Sequence, residues 1–310
     1  MKKGLNVLSL FDGISCGQVA LERAGIKVNK YYASEICDDS IKVTQDNYPN
    51  TIQVGDVTKL TNEKLRKFQK IDMLIGGSPC QDLSKAKQNG LGLAGDKSKL
   101  FFEYVRILNW IRKNNNPDVK FLLENVKPNK ETIDIITKEL ESPTPIEINS
   151  VLVSAQRRIR LYWTNINNGN INQPNDKGLK IKDIIYDNSY KNYKDPRIEN
   201  TKVFTKNYIK YDLSGKGYYS QQDRAYFMDG TMCTLMKSNP INKLNIWLGE
   251  DLYRRCNPIE AERLQTLPDN YTKIIKSDSK RIGLCGDGWT VDVISHIFKK
   301  LNEVRNTKKG

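Results

Sequence analysis

The chain has 310 residues, 50 Lys+Arg against 36 Asp+Glu and a formal charge of +14; at 38% hydrophobic and 28% charged it suits one large globular domain or two smaller ones. No apolar run approaches the roughly 18–20 residues of a membrane span, and the short apolar stretch after Met1-Lys2-Lys3-Gly4 has no cleavage signature, which disfavours membrane and secreted readings. The positive balance predicts a polyanionic partner, nucleic acid first, against the plainer alternative of a solvated lysine-rich surface.

Leu5–Leu10 reads as a buried strand, followed by the glycine-bearing turn Phe11-Asp12-Gly13-Ile14-Ser15-Cys16-Gly17 and a helix over 18–24. Glycines after a first strand let backbone N–H groups approach a ligand, although a tight turn alone explains them equally well. A second strand, 31–34, ends at Glu35, the usual place for an acceptor of ribose hydroxyls. Asp56, in Val54-Gly55-Asp56-Val57, stands where it can accept from an adenine amino group. A turn and two carboxylates at three strand ends predict an adenosine-type pocket. The chain has neither Gly-x-Gly-x-x-Gly nor a Walker A lysine, so neither a dinucleotide nor ATP is favoured.

The strand 71–75 runs into Gly76-Gly77-Ser78-Pro79-Cys80-Gln81-Asp82-Leu83-Ser84 and a polar loop to Lys99. Such a turn exposes the Cys80 thiol at a strand's carboxyl end. The other cysteines, Cys16, Cys37, Cys233, Cys256 and Cys285, are expected to be small buried hydrophobes. No Cys-x-x-Cys occurs and His296 is the only histidine, so no metal site is predicted, a reducing cytoplasm fits, and a nucleophilic cysteine must work without an imidazole base. After the helical run 100–112, the strand 121–123 closes on Glu124-Asn125-Val126, an acid at the same sheet edge. Strands at 146–153 and 159–163 are expected to pair as an antiparallel hairpin, with Arg158 and Arg160 of Gln156-Arg157-Arg158-Ile159-Arg160 on one face. Alternating strands and helices predict an α/β, doubly wound, mostly parallel sheet with ligands beyond the strands' carboxyl ends. Residues 165–257 turn rich in Asn, Lys, Tyr and Gly and are expected to form a second, small irregular domain. Apolar order returns at 258–310 and rejoins the first domain with 1–164.

In this order the segments resemble the motifs of the DNA cytosine-5 methyltransferases: the Phe-x-Gly turn, the acid after strand two, the Pro-Cys loop, Glu-Asn-Val and Gln-x-Arg-x-Arg. Arg255-Cys256-Asn257-Pro258-Ile259-Glu260-Ala261-Glu262-Arg263-Leu264-Gln265 resembles that family's Pro-x-Glu-x-x-Arg-Leu-Gln helix, and Gly286-Asp287-Gly288-Trp289-Thr290-Val291 its closing segment. Ala33-Ser34-Glu35-Ile36-Cys37 and the Pro-Cys loop are similar to the catalytic domain of the de novo enzymes. A chain of 310 residues has no room for their chromatin-reading modules, so a bacterial or phage member is expected. Ala155 and Asp292 depart from the prolines frequent at those places, without removing a reacting group.

The resemblance implies a Rossmann-like methyltransferase fold, S-adenosylmethionine as cofactor and methyl transfer to C5 of a flipped cytosine in double-stranded DNA. Cys80 would attack C6, Glu124 would hold N3 and the exocyclic amine, and Arg158 and Arg160 would contact the base and the thiolate. Phe11, Asp12, Gly13, Ile14, Ser15, Gly17, Glu35, Ile36, Asp56, Val57, Ser78, Pro79, Trp289, Thr290 and Val291 would surround the cofactor. Gln81, Ser84, Asn125, Gln156 and Arg224 would meet DNA. Residues 165–257 would be the target-recognition domain of a cytoplasmic, monomeric enzyme, with or without a restriction endonuclease partner. A transfer-RNA cytosine methyltransferase, whose relatives carry Cys-Phe-Thr where this chain has Met232-Cys233-Thr234, and a non-catalytic DNA-binding homologue are the alternatives.

Overall fold

A computed structural model of the chain describes residues 4–78, 99–187, 192–194, 203–210, 224–237, 244–250 and 252–307. They pack as two compact units, the first Met1–Ile148, Ile159–Gln173 and Asp292–Gly310, the second Asn149–Arg158 and Pro174–Val291. Composition drew the line elsewhere, at 165 and 257. The stretches 149–158 and 258–291 group with the second unit because they are hydrogen-bonded into it, as at Met232 N to Ala155 O (2.7 Å) and Arg254 to Glu260 (2.7 Å). No helix among the described residues is long and apolar enough to cross a membrane.

The first unit is built on a seven-stranded sheet with the order β3-β2-β1-β4-β5-β7-β6. Its strands are β1 (Leu5–Leu10), β2 (Val28–Ser34), β3 (Ile52–Gln53), β4 (Met73–Gly76), β5 (Lys120–Asn125), β6 (Ile146–Asn149) and β7 (Ile159–Thr164). The pairs from β3 to β5 are parallel and β7 runs antiparallel to β5. Every residue of β1 is buried, as a central parallel strand covered on both faces requires. The helices are α1 (Cys16–Arg23), α2 (Asp38–Asn47), α3 (Asn62–Arg66), α4 (Lys99–Asn114) and α5 (Lys130–Glu139). In α4, Phe101, Tyr104, Val105, Leu108 and Ile111 recur at helical spacing and pack on Leu8, Leu10, Leu74, Phe121 and Leu123. The expected hairpin is shorter than its apolar run: β6 stops at Asn149, whose side chain accepts from Val151 N and starts a 3-10 turn.

In the second unit, β8 (Asn192–Lys194), β9 (Val203–Phe204), β10 (Tyr208–Lys210), β11 (Arg224–Tyr226), β12 (Asn245–Gly249) and β13 (Leu252–Arg255) form a six-stranded sheet, order β8-β13-β12-β11-β10-β9. Strands of two to five residues are too short to leave a periodic signal, which is why this region read as irregular. It continues into α6 (Pro258–Leu264) and α7 (Asp278–Asp287), and α8 (Val291–Thr307) closes the chain. Asn257 and Glu260 form a reciprocal cap at the start of α6, with Pro258 in the first turn. Glu260 also takes a bidentate ion pair from Arg254 (2.7 and 2.9 Å), both side chains fully enclosed.

Candidate active site

Register brings four strand ends into one row at the carboxyl edge of the first unit's sheet. Leu10 of β1 lies opposite Ser34 of β2 and Gly76 of β4, and Gly76 lies opposite Leu123 of β5. The segments after those residues are therefore neighbours: the turn from Phe11, the acid Glu35, the run toward Cys80, and Glu124-Asn125. The strand order reverses at β1/β4, where open α/β sheets place their ligands.

The turn is strained and heavily tied. Phe11, Gly13 and Ser15 all have left-handed backbones, with φ of 57°, 57° and 56°, which costs a non-glycine residue about 1–2 kcal/mol. Asp12 holds it. Its N–H donates to Ser34 O (3.1 Å), and its carboxylate accepts from Tyr31 Oη (2.7 Å) and from the Ser15 hydroxyl. Burial pushes the Asp12 carboxyl up to about 6; the hydroxyls of Ser15, Ser9 and Tyr31 oppose the rise and the charge of Glu35 adds to it. Ile14, Ser15 and Gly17 are interior and shape the turn from within.

Glu35 is held by three backbone donors, Gly13 N on Oε2 (2.7 Å) and Ile36 N and Cys37 N on Oε1 (2.8 and 2.9 Å). Beside it Ile36 is 75% exposed, an apolar surface without cover among the described residues. Asp56 caps the 3-10 turn 57–59; the Thr58 hydroxyl (2.8 Å) and N–H (2.9 Å) hold its carboxyl below the usual range. Val57 is core. Sequence reasoning missed two positioning groups on β2, Tyr31 on Asp12 and Ser34 Oγ on Gly55 O (2.6 Å), because a run read as apolar strand gave no reason to single out a hydroxyl.

At the end of β4 the described chain stops at Ser78, so Pro79, Cys80, Gln81 and Ser84 lie outside the described residues. Ser78 is fixed by Asn125, whose Nδ2 donates toward its Oγ (3.2 Å) and carbonyl (3.4 Å). Asn125 is 2% exposed and its Oδ1 accepts from Val126 N. The side chain expected on DNA is instead an internal tie between β5 and the segment leading to Cys80. Glu124 is 8% exposed and ion-paired to Arg160 of β7, Nε to Oε1 2.9 Å.

Arg158 and Arg160 do not share a strand face. The strand β7 begins at Ile159, and the Arg158 guanidinium is buried on the carbonyls of Leu235 (3.0 Å), Gly286 (3.2 Å) and Gly288 (3.1 Å). Gln156, expected at the DNA, is likewise enclosed, donating to Leu264 O (3.1 Å) and accepting from Leu235 N (2.7 Å). Both belong to the second unit and brace it, as does Thr290, which donates to Gln265 Oε1 (2.8 Å) and accepts from Ser150 Oγ (2.9 Å). Trp289 is half-buried and Val291 fully buried in that unit. Arg224 lies on β11 with its guanidinium 4.9 Å from the centre of the Tyr208 ring.

The family described as C-5 cytosine-specific DNA methylase matches residues 5–303. Among characterised proteins, DNA (cytosine-5)-methyltransferase DRM2 of Arabidopsis thaliana is 41% identical over 120 residues, which is 35% of this chain and 19% of that protein. The chain thus spans about a fifth of that plant relative. Type II methyltransferase M.FnuDI of Fusobacterium nucleatum is 28% identical over 342 aligned positions, 98% of this chain and 96% of its own. Among solved structures, the methyltransferase EhMeth of Entamoeba histolytica superposes with a TM-score of 0.72 at 17% identity, over 98% of this chain and 99% of that one, a likeness of fold.

Proposed function

The chain belongs to the C-5 cytosine-specific DNA methylases, and from that membership we propose that it transfers a methyl group from S-adenosylmethionine to C5 of a cytosine flipped out of duplex DNA, through a covalent bond between Cys80 and C6. The observation that carries this reading is the row of strand ends in which the turn 11–15, Glu35, the approach to Cys80 and the Glu124–Arg160 pair share one sheet edge.

The residues fit the cofactor. A Cβ on Gly13 would meet nothing within 4 Å, so space lies open beside the turn. Glu35 has both carboxylate oxygens fixed by backbone donors, with lone pairs left for ribose hydroxyls, and exposed Ile36 supplies an apolar surface for adenine. When bound, S-adenosylmethionine supplies an electrophilic methyl group.

The chain's own residues make C5 reactive. Cytosine C5 is a poor nucleophile; addition of the Cys80 thiolate to C6 places electron density on C5. Glu124 meets N3 and the exocyclic amine and supports the proton at N3 that balances the added charge. Arg160 orients that carboxylate and keeps a positive charge at the strand end, a role no histidine fills at this edge. Loss of the C5 proton and departure of Cys80 from C6 restore the ring double bond. Flipping costs a few kcal/mol of lost stacking and pairing.

Labelled methyl transfer to duplex DNA and to transfer RNA tests the reading. Activity on DNA is expected, abolished in Cys80→Ser with cofactor binding retained, and weakened in affinity for the cofactor in Glu35→Ala by on the order of 1–3 kcal/mol. Duplex DNA containing 5-fluorocytosine should trap wild type, and not Cys80→Ser, as a covalent adduct. Near-normal turnover by Cys80→Ser would overturn the mechanism. Bisulfite sequencing of DNA from an expressing host reads the target site, and survival of that DNA under a co-expressed endonuclease of the same site tests a restriction-modification role.

A further inference from the structure

Within the second unit, a cavity of about 420 Å³ is lined by Arg157, Tyr208, Arg224, Tyr226, Cys233 and Thr234, with Asn207 and Thr231–Met232 behind them. Its volume is that of a site for a nucleotide-sized group, within roughly 300–1,000 Å³. Two guanidinium groups line it and no carboxylate does.

The polar groups divide cleanly. The acceptors in the wall are spoken for: Asn207 Oδ1 accepts from Thr231 N (2.7 Å), Thr231 O from Asn207 Nδ2 (2.8 Å), and Met232 O from Arg157 N (2.9 Å). The donors are not. Arg157 is exposed, and no ion pair holds it among the described residues. The Arg224 guanidinium is stacked on Tyr208, and its buried Nε has no acceptor. The Tyr226 hydroxyl is buried beside its two polar neighbours, Arg224 and the Cys233 thiol. Burial raises the phenol far above its usual range, so it stays an O–H donor at any physiological pH.

Resting on the DNA reading of the preceding section, we propose that this cavity binds a phosphodiester of the substrate DNA, clamped by Arg157 and Arg224 with the Tyr226 hydroxyl as third donor. A phosphate only accepts, and a pocket lined by two guanidinium groups and no carboxylate matches it. A base edge presents donors as well as acceptors, and the amide and carbonyl acceptors named above already carry a bond each. The Tyr208 ring supports the guanidinium, 4.9 Å from ring centre to its carbon, and a guanidinium can meet two phosphate oxygens at once. The contact anchors the second unit on any sequence. It positions and does not read.

Binding of the full chain to cognate and unrelated duplexes, titrated with salt, tests this. Arg157→Gln and Arg224→Gln should each weaken binding about tenfold, to the same extent on both duplexes, and each should lower the slope of log K against log salt by about one. The double variant should lower it by about two, and the methylated sequence should not change. Tyr226→Phe should weaken binding several-fold with no change in slope. Because Arg157 is exposed, Arg157→Gln carries the test should Arg224→Gln fail to fold; Arg224→Lys, which keeps the charge, should hold the slope. Unchanged affinity and slope in Arg157→Gln and in Tyr226→Phe would overturn the site, and a loss confined to one base of the recognition sequence would make it a base reader. Failure of wild type to methylate duplex DNA strikes the function and leaves the salt slopes to judge the clamp on whichever nucleic acid binds.

Discussion

Asp12 is the residue at which the turn 11–15 stores its cost. Its backbone is half-buried while its carboxylate is ringed by Ser9, Ser15 and Tyr31, and burial dominates the rise to about 6. The native state therefore holds a proton more tightly than the unfolded chain, where an aspartate titrates near 4. Between about pH 4 and 6 the native state binds the excess proton, so this group's contribution to stability falls as pH rises through that window. A rise of about two units corresponds to at most about 3 kcal/mol, withdrawn by neutral pH. Asp12→Asn cannot ionise. Compared by urea unfolding at pH 4.5 and 7, wild type should lose on the order of 2 kcal/mol relative to the variant; parallel losses would show that the carboxyl is not enclosed.

At the scale of elements, the active edge depends on how closely β1 and β4 approach. A Cβ on Gly76 would lie 2.7 Å from Leu10 O and 3.1 Å from the Tyr104 ring, one a backbone atom of the central strand. Tyr104 has little freedom to retreat, because its hydroxyl donates to Leu122 O (3.1 Å). Gly76→Ala is expected to cost about 1–3 kcal/mol of stability and to displace the strand ends that carry Phe11 and Ser78. A lowered urea midpoint together with weakened cofactor binding is the expected pair of results; an unchanged midpoint would mean the strands yield easily. Nothing in the sequence marked Gly76 apart from Gly77. The close approach is a tertiary fact.

At the scale of the molecule, the division of labour is a proposal with its own test. On the proposed reaction the sheet edge needs a single flipped cytosine, which leaves sequence choice to the basic, tyrosine-rich stretch 165–257. Grafting the corresponding stretch of a relative with a different known site should transfer that site, read by bisulfite sequencing, with Cys80 and Glu124 unchanged. An active graft that kept the parent pattern would place specificity outside the stretch. Packing sharpens the design: 149–158 and 258–291 belong to the same compact unit, and Arg158 and Gln156 bond the backbone C=O and N–H of Leu235, so a graft must preserve that residue.

The sequence by itself determined the alternation that builds a parallel sheet, the acid after β2, the glycine turn after β1 and the order of motifs that marks the family. These are local or ordered along the chain, and apolar period and turn chemistry write them directly. Tertiary structure alone decided which polar side chains stay at the sheet edge and which are internal ties. Gln156, Arg158 and Asn125 look like Arg160 and Glu124 in a list of motifs, yet the first three spend their hydrogen bonds on carbonyls and amides 47 to 130 residues away, while Glu124 and Arg160 keep theirs at the sheet edge. A buried polar group must find its partner wherever the fold brings one, and that partner is set by distance in space, which one chain of letters does not record.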